Sequence, residues 1–302
     1  MHVTLSLIFS WLLALSEPST PFIVILGVAQ DAGYPQIGCS KECCTLAWKD
    51  VSLKRSVVSF ALVDPTEKKW WLFEATPDIK DQLARFRELT DSKYSFLPQG
   101  IFLTHAHMGH YTGLMQLGRE ALNSSNVPVY TMPRMAKFIS ENGPWCQLVS
   151  LKNIQLQTLS SVPVRLSAQI ELDAFVVPHR DEFSETAGFR VRTNQKRYLF
   201  IPDIDKWEKW EQDIRKEVEA SDVALIDATF SNASELPGRD VREVPHPFVS
   251  ETTELFKNSN EKTRKKIFFI HFNHTNPLLW DPAFQKKIKD QGFNFAIQGS
   301  IL

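Results

Sequence analysis

Very little net charge is available to this chain: 34 Lys and Arg stand against 35 Asp and Glu, a balance of −1 over 302 residues. That near-neutrality gives no electrostatic reason to expect nucleic acid, an anionic membrane or a strongly acidic substrate, and leaves small molecules or peptides as the expected substrates. Apolar runs are short as well. None after the N-terminus approaches the ~20 residues that cross a bilayer, so no stable membrane insertion is expected. Glycine is sparse, at 12 residues. Gly27, Gly33 and Gly38 come close together, but no glycine-rich turn leads directly into a helix bearing Lys-Ser/Thr, which excludes a phosphate-binding loop. Repeats, low-complexity tracts and linkers are absent too, and 43% hydrophobic residues suffice for one large core.

The opening stretch MHVTLSLIFSWLLALSEPST carries an apolar run from Val3 to Leu15, too short to span a membrane and followed by small and polar residues. It reads as a signal peptide over residues 1–19, with a domain over 20–302 in the periplasm or outside the cell. An upstream mis-start, or an apolar arm packed on a cytoplasmic domain, is the alternative. Of four cysteines, Cys39, Cys43 and Cys44 cluster in CSKECC, and Cys146 stands apart. Export would permit disulfides, but neighbouring Cys43 and Cys44 could bridge only with strain. The trio fits a small structural zinc knot equally well, or plain reduced thiols.

Beyond residue 20, β-rich runs alternate with helical stretches, which predicts an α/β fold. PFIVILGVA, SVVSFALVD, KWWLFEATP, GIFLTHAH, VPVYTM, FVVPH, GFRVRT, RYLFIPD, DVALIDATF and KKIFFIHF read as strands. DIKDQLARFREL, HYTGLMQLGREALN, WEKWEQDIRKEVEAS and SETTELFKN read as helices, with Asp78 as an expected N-cap. Of the adjacent Trp70 and Trp71, one is expected in the core and one at the surface. The polar residues of interest follow apolar runs: Glu74, His105, His107, His179, Asp203, Asp227 and His271 each sit at a strand end. In layered α/β folds, ligands collect in the loops beyond strand ends.

His105, His107 and His110 fall within six positions of THAHMGH. A strand that turns into a helix between them brings all three to one place, and neutral imidazole is a good ligand for zinc, iron or manganese. His179, Asp203 and His271 extend the set, with Asp203 suited to bridge two metals.

The order THAHMGH, VPH…GFRV, FIPD, LIDATF, PHPFVSETTELF and IHFNHTNP resembles the metallo-β-lactamase superfamily. VILGVAQDAGYPQIGCSKECC, EATPDIKDQL, HYTGLMQLGREAL and IFFIHFNHTNPLL extend the likeness, end to end, to the pyrroloquinoline quinone (PQQ) biosynthesis protein B family. The resemblance implies a four-layer αββα sandwich with metals at the rim between the sheets. It makes His105, His107 and His179 ligands of one metal, and His110 and His271 ligands of a second, with Asp203 between. Gly109 departs from the pattern, because the superfamily usually places an acid there that helps to hold the second metal. A weaker or more open second site is the expectation, and Gly109→Asp is expected to raise metal content toward two per chain. His274, where the family tends toward asparagine, is expected as a hydrogen-bond donor to a ligand, an extra ligand or a surface residue. By likeness to the tRNase Z branch, Asp227 orients His246 as a general acid for the leaving group.

The function so implied is a metal-dependent hydrolase, with one or two zinc ions and hydroxide on the metal attacking an ester or phosphodiester-type substrate. An iron-dependent oxygenase or oxidase in PQQ-type cofactor biosynthesis is one alternative. A non-catalytic metal-binding protein is the other.

Overall fold

In the computed structural model, residues 19–302 are described. The segment read as a signal peptide therefore lies, but for its last residue, outside the described residues. Among them, no helix is long and apolar enough to cross a membrane.

Two sheets form the framework. The first holds β1 (Phe22–Gly27), β2 (Ser59–Asp64), β3 (Lys69–Phe73), β4 (Ile101–Phe102), β5 (Val127–Thr131) and β6 (Ile154–Thr158), in that spatial order. The second holds β7 (Val164–Arg165), β8 (Ile170–Val177), β9 (Thr186–Thr193), β10 (Arg197–Ile201), β11 (Val223–Asp227), β12 (Ile267–Ile270) and β13 (Asn294–Phe295), again in sequence order across the sheet. Helices α1 (Glu42–Lys49), α2 (Ile79–Leu89), α3 (Met108–Tyr111), α4 (Pro133–Glu141), α5 (Trp145–Ser150), α6 (Ile214–Ala220), α7 (Val249–Leu255), α8 (Glu261–Arg264) and α9 (Pro282–Asp290) complete the order.

Successive side chains on a strand face opposite ways, and in β1 to β3 both ways are covered. Ile23, Ile25, Phe60, Leu62, Trp71 and Phe73 join the core that includes Phe189 and Phe200 of the second sheet. Their neighbours Val24, Leu26, Ala61, Val63, Trp70 and Leu72 join a second core with Ile79, Leu83 and Phe86 of α2. Trp70 and Trp71 are therefore both buried, not split between core and surface, because their sheet has solvent on neither face. The Trp70 indole stacks on Phe86 at 4.1 Å and donates to the Ser95 carbonyl at 2.8 Å. On the far side of the second sheet, α6, α7 and α9 contribute Ile214, Val218, Val249 and Ile288. The result is the expected helix–sheet–sheet–helix stack.

Two expected helices differ. The helix read over HYTGLMQLGREALN is only the single turn α3, followed by a 3-10 turn over Thr112–Leu117. Gly113 donates to the Ala75 carbonyl at 2.8 Å, so that carbonyl replaces a partner inside a helix. A Cβ there would come within 2.0 Å of the Thr76 carbonyl oxygen, so the segment is pinned by a backbone approach that only glycine allows. WEKWEQDIRKEVEAS breaks into a 3-10 turn, Trp207–Lys209, and α6, which Asp213 caps through the Arg215 N–H. The Trp207 indole donates to Thr252 Oγ1 at 2.9 Å and that of Trp210 to the Val176 carbonyl at 3.3 Å. These tertiary bonds hold the stretch off a continuous helix. Asp78 does occupy the N-cap position of α2, but its side chain makes no capping bond: Oδ2 accepts from the Val57 N–H at 2.8 Å.

Strand direction decides where the polar residues go. β3 and β4 run parallel, as do β10, β11 and β12. β8 is antiparallel to β9 and β9 to β10, so β8 runs with β10. The residues just past these strands share one rim. Backbone bonds close it: Ala187 N–H donates to the Thr104 carbonyl at 3.0 Å, and the segment after β1 pairs with Phe272 after β12.

Phe73 stacks on Phe60 at 4.2 Å and Phe102 at 4.9 Å within its own sheet and meets Phe189 of the second sheet edge-on at 5.4 Å. Phe73→Ala is expected to cost about 3–5 kcal/mol in urea denaturation, whereas Ile37→Ala, at a residue 84% exposed, should stay within about 0.5 kcal/mol of the parent.

Candidate metal centre

Asp203, fully buried in the loop after β10, is the hub of the rim. Its Oδ2 lies 3.5 Å from His105 Nε2, 3.2 Å from His110 Nε2 and 3.3 Å from His271 Nε2. Its Oδ1 lies 3.3 Å from His179 Nε2 and 3.2 Å from His246 Nδ1. His107 meets the group through Nδ1, 2.8 Å from His105 Nε2. All six residues expected as ligands are thus brought together. His105, His107, His179 and Asp203 offer ligand atoms within 4.8 Å of one another.

The ring nitrogens facing away from the hub fix the rings. Thr104 Oγ1 lies 2.8 Å from His105 Nδ1, Thr229 Oγ1 lies 2.8 Å from His271 Nδ1, and the buried Glu74 Oε1 lies 3.5 Å from His110 Nδ1. Thr229 donates its single hydroxyl proton to Asp227 Oδ1 at 2.7 Å, so toward His271 it accepts. With the proton on Nδ1 of His105 and His271, the lone pair of each sits on Nε2 and points at the centre, the arrangement that orients metal-binding histidines. Sequence reasoning gave Glu74 no role; in the structure its carboxylate faces His110 at ion-pair distance. Glu74 and His271 both occupy left-handed backbone, φ 70° and 68°, at a cost of about 1–3 kcal/mol each for a non-glycine residue.

The residues fit a metal on this structure's own terms. His110 Nε2, His179 Nε2, His271 Nε2 and both Asp203 oxygens are buried without a hydrogen-bond partner. Each such atom costs about 1–3 kcal/mol unless something satisfies it, and a cation at the hub satisfies them together. Burial, then the neighbouring rings, pushes His105 well below the ordinary imidazole range, and burial takes His107 down to about 4 and lowers His179. These three stay neutral, the form that binds a cation. Burial pulls His110 down too, but Glu74 and Asp203 outweigh it and hold it well above its usual value. A metal would displace that Nε2 proton. Burial would raise Asp203, yet the surrounding rings, His271 and His179 first, hold it well below the carboxylate range.

The second pair is also in place. His246 Nδ1 lies 2.9 Å from Asp227 Oδ2, and Asp227 further accepts from the N–H groups of Ile204 at 3.1 Å and Thr229 at 2.9 Å. Burial lowers His246, but Asp227 outweighs it and raises the ring's pKa overall. The His246 loop is braced from behind. Buried Lys206 bonds both Glu251 oxygens, at 2.9 and 2.8 Å, and lies 4.0 Å over the Phe248 ring.

Gly109 has a neighbour that sequence reasoning missed. The Gly109 N–H donates to Asp31 Oδ1 at 3.0 Å, and that oxygen lies 3.6 Å from His110 Nε2. Asp31 comes from the loop after β1, in AQDAGYP, where nothing in the spacing marks it. Its only trace in the sequence is the glycine that makes room for it. Away from the rim, the sulfur atoms of Cys39, Cys43 and Cys44 gather within 4.8 Å, none in a disulfide, and Cys146 stays apart. Burial pushes the Cys44 thiol up to about 12. His274 does not join the rim cluster; its Nδ1 lies 3.2 Å from Asn273 Oδ1.

Comparison with known proteins agrees with this geometry. A family profile described as "Beta-lactamase superfamily domain" matches residues 69–272. Coenzyme PQQ synthesis protein B of Methylorubrum extorquens is 24% identical over 93% of this chain and 99% of its own. The crystal structure of Zn2+-bound PqqB from Methylobacterium extorquens superposes with a TM-score of 0.73 at 22% identity, over 93% of this chain and 99% of that one. A diphosphatase from the PhnP family gives 0.68 at 17% identity, covering 94% and 96%. The rim of histidines around Asp203, the paired sheets and the matched profile lead to one conclusion: the chain belongs to the metallo-β-lactamase superfamily and is similar, along nearly its whole length, to coenzyme PQQ synthesis protein B.

Proposed function

We propose that the protein is a metal-dependent hydrolase, holding one or two zinc ions, that acts on an ester or phosphodiester bond of a small molecule or peptide. The carrying observation is the convergence of His110, His179 and His271 Nε2 on the two partnerless oxygens of buried Asp203, beside the Asp227–His246 pair. His105, His107 and His179 would hold one ion, His110 and His271 the other, and Asp203 would stand between them. Cations held there supply Lewis-acid chemistry, polarising the scissile group and acidifying water.

The protein's own part in the reaction is proton transfer and orientation. Asp227 keeps the His246 Nδ1 proton in place, which leaves Nε2 to give a proton to the departing oxygen. A purely binding protein has no need of that 2.9 Å contact. The name of the relatives places their reaction in coenzyme PQQ synthesis, and the full-length match supports a cofactor-synthesis step of related chemistry here. Cys39, Cys43 and Cys44 are proposed to hold a separate structural zinc; their gathered sulfurs support it.

Metal analysis of protein purified without chelator, with chromogenic ester and phosphodiester assays, tests the reading. Zinc is expected, and His105→Ala and His179→Ala should each lose bound metal and all turnover; unchanged metal content would end the proposal, and iron with oxygen uptake would replace hydrolysis with oxidation. His246→Gln and Asp227→Asn should keep the metal and lower kcat by about 10²–10⁴ on substrates with alkoxide leaving groups. Nitrophenolate leaving groups need no acid, so a loss of equal size on them would count against the assigned role.

A further inference from the structure

We propose that Asp31 supplies the acid of the second metal position, from the loop after β1, in place of the missing side chain at position 109. This rests on the metal-centre reading above and adds to it a ligand from a distant part of the chain.

The two positions compete for one volume. A Cβ built on Gly109 would lie 2.5 Å from the Asp31 Cα, 2.5 Å from its Oδ1 and 2.8 Å from its Cβ. Residue 31 can bring its carboxylate here only because residue 109 has no side chain. The carboxylate is also aimed: Oδ1 takes the Gly109 N–H at 3.0 Å and lies 3.6 Å from His110 Nε2, and Gln30 Nε2 donates to Oδ2 at 2.5 Å. Asp31, His110 and His271 offer ligand atoms within 4.8 Å of one another.

The loop is held there by backbone. Gln30 N–H donates to the Phe272 carbonyl at 2.8 Å, and Phe272 N–H donates to the Val28 carbonyl at 2.8 Å. That ladder pairs Gln30, the residue before Asp31, with Phe272, the residue after His271, and the turn closed by Gly33 N–H to the Gln30 carbonyl at 2.8 Å fixes the loop's exit. Burial would raise the Asp31 carboxyl, but His110 and His271 outweigh it and keep the group low, hence ionised. With Asp203, the second position then has four protein donors and not three. Gly109 marks an acid moved elsewhere, not one lost.

The test is metal stoichiometry and zinc affinity of the full-length protein, by elemental analysis after dialysis and by zinc titration calorimetry. Asp31→Asn should lose one ion per chain or bind it at least tenfold more weakly. Gly109→Asp alone should lower Tm and add no metal, because its side chain meets the Asp31 backbone. Asp31→Gly with Gly109→Asp should bring the ion back. Wild-type affinity for every ion in Asp31→Asn, with an ion lost in His271→Ala, would overturn this inference and leave the metal centre standing; no loss in His271→Ala either would overturn both. If the double variant fails to fold, Asp31→Asn decides alone.

Discussion

One buried carboxylate organises the rim. Asp203 faces five imidazoles at 3.2–3.5 Å with no hydrogen bond to either oxygen. A charge in that position is tolerable only if positive charge stands close by. The surrounding architecture meets that demand: parallel strands deliver the rings, Thr104 and Thr229 sit against the outer nitrogens of His105 and His271, and Glu74 faces His110. Two residues even adopt left-handed backbone to take their places. The cost in strain and unsatisfied polarity is met by the double-sided core beneath, where phenylalanines meet edge-on across the sheets.

Most of the centre was legible in the sequence because strand ends announce themselves. An apolar run that stops at a histidine or aspartate puts that side chain on a rim, and parallel strands put the rims on one side; His105, His179, Asp203 and His271 all obey this. The Asp227–His246 contact could be read only through the likeness to the tRNase Z branch, since nothing local brings a histidine between two prolines to a strand-end acid. Alternating strands and helices gave the α/β class and the family likeness gave the sandwich, but neither gave the fate of Trp70 and Trp71. A strand covered on both faces reads like one covered on one face when both its residues are large and apolar.

What stayed hidden depends on contacts between distant segments. Trp207 and Trp210 looked helical by spacing, but their indole N–H groups find partners on other elements and the helix breaks. Gly113 looked like a tolerated helix glycine and is instead a point of backbone contact. Asp31 is the sharpest case. A motif is read along the chain, whereas a coordination shell is filled in space, and a donor 78 positions away from the glycine it faces belongs to no motif.

The pairing of Val28 and Gln30 with Phe272 has a mechanical meaning. It brings the first strand's exit loop against the last of the strands that carry a rim histidine, so the proposed second metal position would join residue 31 to residue 271 across nearly the whole sequence. A cation there would act as a staple on the folded chain, binding the native state and not the unfolded one and stabilising it by mass action. The centre that performs the chemistry would then also fasten the beginning of the domain to its end.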